Sequence, residues 1–263
     1  MQAKNLPTID AGYWAAIIAA SMCGANAGDL AAGPLGLGHV TGLLPMAAMF
    51  MAVIIFERVA KFTTVLYYWL AVIVLRTMAT NISDFATHDL KISFPVFEAG
   101  LIVFMGAMIW LDQRLAAKTE SAPEAAGLWG SLPATNGSYW VVMLAAGTLG
   151  TAFGDWIAEK NELNFGVYWG SALCLPLFVA TLFVATRFRG MTKPWYWAAI
   201  VACRTLGTDL GDMLVTMFRM VTPTKAVGLW VSTACTAALL GMIVYFWRHK
   251  DAIKANVVEE SHV

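Results

Sequence analysis

Apolar positions gather into eight runs, at about 13–28, 40–56, 65–83, 94–111, 139–157, 167–186, 194–217 and 227–247. Each is near, or somewhat short of, the roughly 20 residues a helix needs to cross the hydrocarbon of a bilayer. In lipid such a run must be helical, because no other single segment satisfies its own backbone there. The pattern predicts an all-α integral membrane protein with eight transmembrane helices. The segment before the first run has no basic stretch leading into an apolar core and no small-residue cleavage site, so that run reads as a retained span.

The runs are not independent. Tyr13-Trp14, Tyr68-Trp69, Tyr139-Trp140 and Tyr196-Trp197 open the four odd-numbered runs, and an aspartate follows each tyrosine by 16 residues: Asp29, Asp84, Asp155 and Asp212. A fifth pair, Tyr168-Trp169, has no such aspartate. With nine aspartates in 263 residues, four hits in five have a chance probability of roughly 10⁻⁵, so the chain is an internal repeat. Each copy is a hairpin of a first helix ending near its aspartate and a second ending at a charged stop: Glu57-Arg58, Asp112-Gln113-Arg114, Arg187-Phe188-Arg189 and Arg248-His249-Lys250.

Copy spacings of 55, 71 and 57 residues place an insertion in the middle. The expected organisation is an N-terminal segment over 1–12, a first four-helix half over 13–117, a linker over 118–137, a second half over 138–250 and a tail over 251–263. Copies two and four share Arg76-Thr77-Met78-Ala79-Thr80-Asn81-Ile82-Ser83-Asp84 and Arg204-Thr205-Leu206-Gly207-Thr208-Asp209-Leu210-Gly211-Asp212, whereas copies one and three have Ser21 and Gly147 at the arginine position. Copies one and three also share a proline in the second helix, Pro45 and Pro176, read either as a kink at a gate or as a tolerated packing feature. Two-span copies all enter from one side, so the halves are expected to be pseudo-symmetric about an axis along the membrane normal. Eleven basic residues on the terminal side (Lys4, Arg58, Lys61, Arg114, Lys118, Arg187, Arg189, Lys193, Arg248, Lys250 and Lys254) stand against Lys91, Lys160, Arg219 and Lys225 opposite. That asymmetry predicts an inner-membrane protein with both termini in the cytoplasm.

The signature Gly150-Thr151-Ala152-Phe153-Gly154-Asp155 and Gly207-Thr208-Asp209-Leu210-Gly211-Asp212, on helices led by Tyr-Trp, resembles a bacterial multipass family known only as a repeat of unknown function. Copies three and four match best; Ala25 replaces the threonine in copy one, and Ala79 and Ser83 replace glycines in copy two. The resemblance covers about 230 residues and implies the fold without an activity.

Composition adds little beyond lipid as the main solvent: 59% of residues are hydrophobic and 13% charged. Seventeen basic and seventeen acidic residues cancel, so no field points to nucleic acid. The bilayer and a small ion or solute are the expected partners, with a homo-oligomer left open. Cys23, Cys174, Cys203 and Cys235 stand singly and read as small buried hydrophobes; His39 and His88 fall on loops. The Tyr-Trp pairs read as interfacial anchors. The Gly33-to-His39 segment is either a tight connection or a pore-lining loop.

What carries chemistry is a polar stripe at depth. Arg76, Thr80 and Asp84, and Arg204, Thr208 and Asp212, recur at steps of four, with Thr151 in copy three and with Asn26, Asn81 and Asp209 adding oxygens near their aspartates. Charges so deep should face the bundle interior, paired or hydrated. If Arg76 and Arg204 pair with Asp84 and Asp212 as struts, the acids still outnumber them. Asp29 and Asp155, in copies without an arginine, are then the expected free ligands, proton carriers or metal ligands. Asp, Asn and Thr oxygens suit hard cations, whereas the arginines suit a carboxylate or phosphate group. The expected function is a transporter moving a small hard cation (a divalent metal, Na⁺ or H⁺) or a proton-coupled solute through a carboxylate-lined site between the halves. The alternatives are an assembly protein whose Arg-Asp pairs are only struts, or an intramembrane enzyme, for which no nucleophile beside a base is visible. The sequence leaves any cofactor unknown.

Overall fold

The computed structural model describes residues 7, 9–59, 65–116, 135–189 and 193–260. These form eight α-helices: α1 (Ala11–Ala32), α2 (Leu43–Val59), α3 (Leu66–Asp84), α4 (Phe94–Ala116), α5 (Gly137–Ala158), α6 (Gly166–Val184), α7 (Lys193–Arg219) and α8 (Lys225–Glu260), with π-helical turns at Phe85–Asp89 and Ala185–Arg189 and no strand. Most of the expected 118–137 linker lies outside the described residues, and α8 continues through the charged stop that was expected to end it. Five helices or helix segments are long and apolar enough to cross a membrane: Ala11–Ala32, Phe94–Arg114, Gly137–Ala158, Gly166–Arg187 and Lys225–Trp247.

Local signals explain several ends. Asp10 Oδ1 accepts from Tyr13 N at 2.9 Å, and Asn136 Oδ1 accepts from Tyr139 N at 3.0 Å, so two copies begin on a side-chain cap three residues before their tyrosine. The connection after α1 is a series of tight turns in which Leu35, Leu37 and Gly38 amides return to carbonyls of α1. Gly36 and Gly38 hold positive φ of 68° and 67°, a backbone that side chains rarely adopt. Pro45 falls in the first turn of α2, where its missing N–H costs nothing, while Pro176 lies inside α6.

The first helices of the four copies form a closed ring in which α1 touches α3, α3 touches α5, α5 touches α7 and α7 touches α1. The second helices lie outside. Each packs on the first helix of the following copy (α2 on α3, α4 on α5, α6 on α7), and α8 completes the cycle on α1. The ring closes because each member presents small residues to the next. A Cβ at Gly24 would come within 2.5 Å of Arg76 Cβ, and one at Gly28 within 2.7 Å of Thr80 Cβ. Gly150 and Gly154 meet Arg204 and Thr208 in the same register, and Gly207 meets Ser21. Such small-xxx-small contacts let helices approach where lipid offers no hydrophobic drive between them. The outer helices turn large apolar side chains outward, among them Val103, Trp110, Leu177, Phe183 and Phe246, as a lipid-facing surface requires and a water-facing one rarely shows.

Candidate functional site

A polar column occupies the middle of the ring, built on the step of four that runs through each copy. At the N-terminal ends of the ring helices the four tyrosine hydroxyls close a cycle: Tyr13 to Tyr68 at 3.0 Å, Tyr68 to Tyr139 at 2.7 Å, Tyr139 to Tyr196 at 3.0 Å and Tyr196 to Tyr13 at 2.8 Å. All four rings are buried, and Trp14, Trp69, Trp140 and Trp197 pack edge-on or tilted against them. These pairs are therefore not interfacial anchors. Their indoles and phenols point inward, where four phenols can both donate and accept around a ring. Only the odd pair out, Tyr168 and Trp169, is exposed, at 48% and 73%.

Two turns further along, Arg76 on α3 and Arg204 on α7 face the centre from opposite sides of the ring, each 1% exposed. Ser21 and Gly147, at the same step of α1 and α5, leave room for them. Arg76 Nη1 donates to Thr80 Oγ1 at 3.0 Å, to the Gly147 carbonyl at 3.4 Å and to Thr151 Oγ1, while Nη2 donates to Thr208 Oγ1 at 2.5 Å. Three threonines from three copies thus form a collar around one guanidinium. Arg204 Nη1 donates to Ser21 Oγ at 3.2 Å and Nη2 approaches Met143 Sδ at 3.3 Å. The Nε of each arginine has no partner.

Neither arginine forms an ion pair. Among the described residues the ion pairs within 4.0 Å are His39–Asp89, His88–Asp84 and His88–Glu159, so the expected Arg-Asp struts to Asp84 and Asp212 are absent. On its own helix each arginine stands eight residues, about 12 Å of rise, before its aspartate; Arg76 donates instead to the threonine at the intervening step, Thr80, and Arg204 to Ser21 of α1. Among the described residues no aspartate contacts Arg76, so the aspartates act on it only through space.

Beyond the collar, Asp29, Asp84, Asp155 and Asp212 line one cavity of about 660 Å³. Gly33, Pro34 and His39 from the first connection, His88 from the π-turn, Glu159, and Lys225 at the start of α8 complete its polar rim. His88 Nε2 is 2.7 Å from Glu159 Oε1 and its Nδ1 is 3.9 Å from Asp84 Oδ1; His39 Nδ1 is 2.9 Å from Asp89 Oδ2. The Gly33-to-His39 segment is thus both a tight connection and part of the cavity wall.

Of the residues singled out from sequence, the four aspartates, both arginines and Thr80, Thr151 and Thr208 belong to this column. Asn26, Asn81 and Asp209 do not. Asn26 Nδ2 donates to Ser232 Oγ at 2.6 Å, Asn81 Nδ2 approaches Met46 Sδ at 3.3 Å, and Asp209 Oδ2 is 3.4 Å from Cys174 Sγ, so each turns toward an outer helix. Standing one residue beyond the threonine step, they are rotated about 100° away from the axis. Asp29 and Asp155 both line the cavity, and among the described residues no three His, Cys, Asp or Glu side chains are grouped to hold an ion. His88 and Glu159 were missed, although each lies four residues past its aspartate and so continues the same step. His39 was reached only as the end of the Gly33-to-His39 loop, and Lys225 carried no sequence signal. Cys23, Cys174 and Cys203 are buried and free, and Cys235 is free and exposed.

A family described as Repeat of Unknown Function matches residues 12–63, 138–190 and 195–251. Copy one is included despite Ala25; copy two, with Ala79 and Ser83, falls outside the matched segments. No curated protein and no solved structure matches the chain.

Proposed function

Since this chain belongs to the family described as Repeat of Unknown Function, a description that carries no activity, we infer its function from the column: a membrane transporter moving a small cation, or a solute coupled to protons. One observation carries the reading. The four repeat aspartates converge on a single cavity above two buried guanidiniums that have no carboxylate partner. Ionisable groups this deep in a bilayer protein are expensive, and are retained where they serve a pathway. In this reading all eight helices span the membrane, the ring surrounds a pseudo-four-fold axis along the membrane normal, and the excess of basic residues near the termini sets both termini in the cytoplasm. The cavity then opens to the outer face and the tyrosine cycle closes the column on the inner one, an outward-facing arrangement of an inner-membrane protein.

The strut reading loses its support, because it required ion pairs that the arginines do not make. The test is flux through the purified full chain in liposomes, scanning protons, sodium, divalent cations and small amines. Asp29→Asn and Asp155→Asn should abolish that flux while the protein still elutes as a folded species. Wild-type liposomes no leakier than empty ones to every cation tried would overturn the reading.

A further inference from the structure

The cavity's own walls disfavour three classes of occupant. A bare divalent metal needs several hard oxygens converging on one point, and among the described residues no such group stands there. A quaternary ammonium is held by aromatic faces, and no Phe, Tyr or Trp lines this cavity. An anion would meet Asp29, Asp84, Asp155, Asp212 and Glu159 against Lys225 alone. What the walls do suit is a cation that donates hydrogen bonds. A primary ammonium has three donors for carboxylate oxygens, and such charge-assisted bonds are among the strong ones.

The column also sets how much charge. At the rim the acids Glu159 and Asp89 stand with their own basic neighbours, His88 on Glu159, His39 on Asp89 and Lys225 nearby, and are left out of the count. On the axis four aspartates stand over Arg76 and Arg204, four possible negative charges against two positive, a surplus of two. In a low-dielectric surround the column tends to neutrality, which either two protons or one dication supplies. We propose that this cavity binds a linear primary diamine in exchange for two protons carried by the four aspartates. The inference rests on the transport reading of the same cavity and names its substrate class. Each ammonium sits between carboxylates of neighbouring ring helices, so a flexible chain with an amine at each end engages the ring from two sides. Two positive charges enter as two protons leave, and the charge of the column is unchanged.

The experiment titrates 1,4-diaminobutane into the purified full chain in weakly buffered detergent near neutral pH, with a pH indicator counting released protons and a thermal melt reporting occupancy. About two protons should appear per bound diamine, with a rise in melting temperature; butylamine should release fewer, and tetramethylammonium or magnesium chloride none. Asp29→Asn with Asp155→Asn should remove the release, and if that double variant does not fold, the wild-type proton count alone decides. Absent release, or equal release with magnesium, overturns the proposal. Flux of another cation without diamine binding sinks the diamine assignment and leaves the transport reading standing. Diamine binding with two-proton release but no flux upholds the assignment and sinks transport.

Discussion

Arg76 shows how a buried charge can be held without a counter-charge in contact. Its donors reach Thr80, Thr151, Thr208 and the Gly147 carbonyl, so the guanidinium is solvated by hydroxyls from three copies and balanced by carboxylates at longer range. Thr151→Val keeps the shape and removes one acceptor. A hydrogen bond to a charged group is worth about 1.5 to 3 kcal/mol, and we expect a loss of about that size in detergent unfolding measurements. Thr148→Val is the control, since that hydroxyl bonds only the Leu144 carbonyl of its own helix; equal losses in both variants would refute the collar. Tyr68→Phe should likewise cost about 1 to 2 kcal/mol, because it breaks two of the four links of the tyrosine cycle. Much at this scale was legible. A step of four from tyrosine to aspartate marked the arginines and threonines, because the same step builds the column. Their partners were not legible: a sequence shows that Arg76 and Asp84 share a stripe, not that Thr151 and Thr208 arrive from other copies first. The direction in which Tyr13 points was equally hidden, since Tyr-Trp at a helix end reads alike whether it faces lipid headgroups or three other tyrosines.

The ring depends on how closely its helices approach, and that is a property of elements. Gly24 has no space for a Cβ, which would overlap Arg76 Cβ at 2.5 Å. On the outer helix α4, a Cβ at Gly106 would meet nothing within 4 Å. We therefore expect Gly24→Ala to cost about 3 kcal/mol or more, by forcing α1 and α3 apart in a packed core. Gly106→Ala should be neutral or stabilising by about 0.5 to 1 kcal/mol, through helix propensity alone. Thermal melts of the two variants side by side check this, and similar behaviour would mean that the small residues do not set the ring. The helices themselves were readable from the apolar runs, which fall within a few residues of the observed elements except at the end of α8, where the helix runs on to Glu260. Which helix lies inside was readable only in outline: the inner ones carry the polar and small residues, the outer ones the bulky aliphatics. The exchange of partners, each second helix packing on the next copy more than on its own, leaves no trace in a repeat, because all copies offer much the same surface.

The whole molecule is held together across its middle, although the chain divides there. Arg76 in the first half donates to Gly147, Thr151 and Thr208 in the second, and Arg204 in the second donates to Ser21 in the first. The tyrosine cycle crosses between halves twice, Asn26 reaches Ser232, and Trp247 Nε1 donates to Asp10 Oδ2 at 2.9 Å. Two of the four ring contacts, α3 with α5 and α7 with α1, together with α4 on α5 and α8 on α1, also join one half to the other. A half made alone would turn toward lipid either Arg76, with Thr80 as its one remaining acceptor, or Arg204, without Ser21, a cost of several kcal/mol for a charge at membrane depth. Copies one and two, produced without copies three and four, should therefore fail to accumulate as a folded species. Co-produced as two chains divided between residues 117 and 135, the halves should assemble and co-purify through a tag on either one, because these contacts between the helices already join them. The assembled pair should also keep the thermal stability of the intact chain within a few degrees, as only a loop-closure entropy that grows slowly with length has been given up. Two halves that are each folded and monomeric alone would show that the column is not shared between them, and with it would go the single cavity on which the functional reading stands.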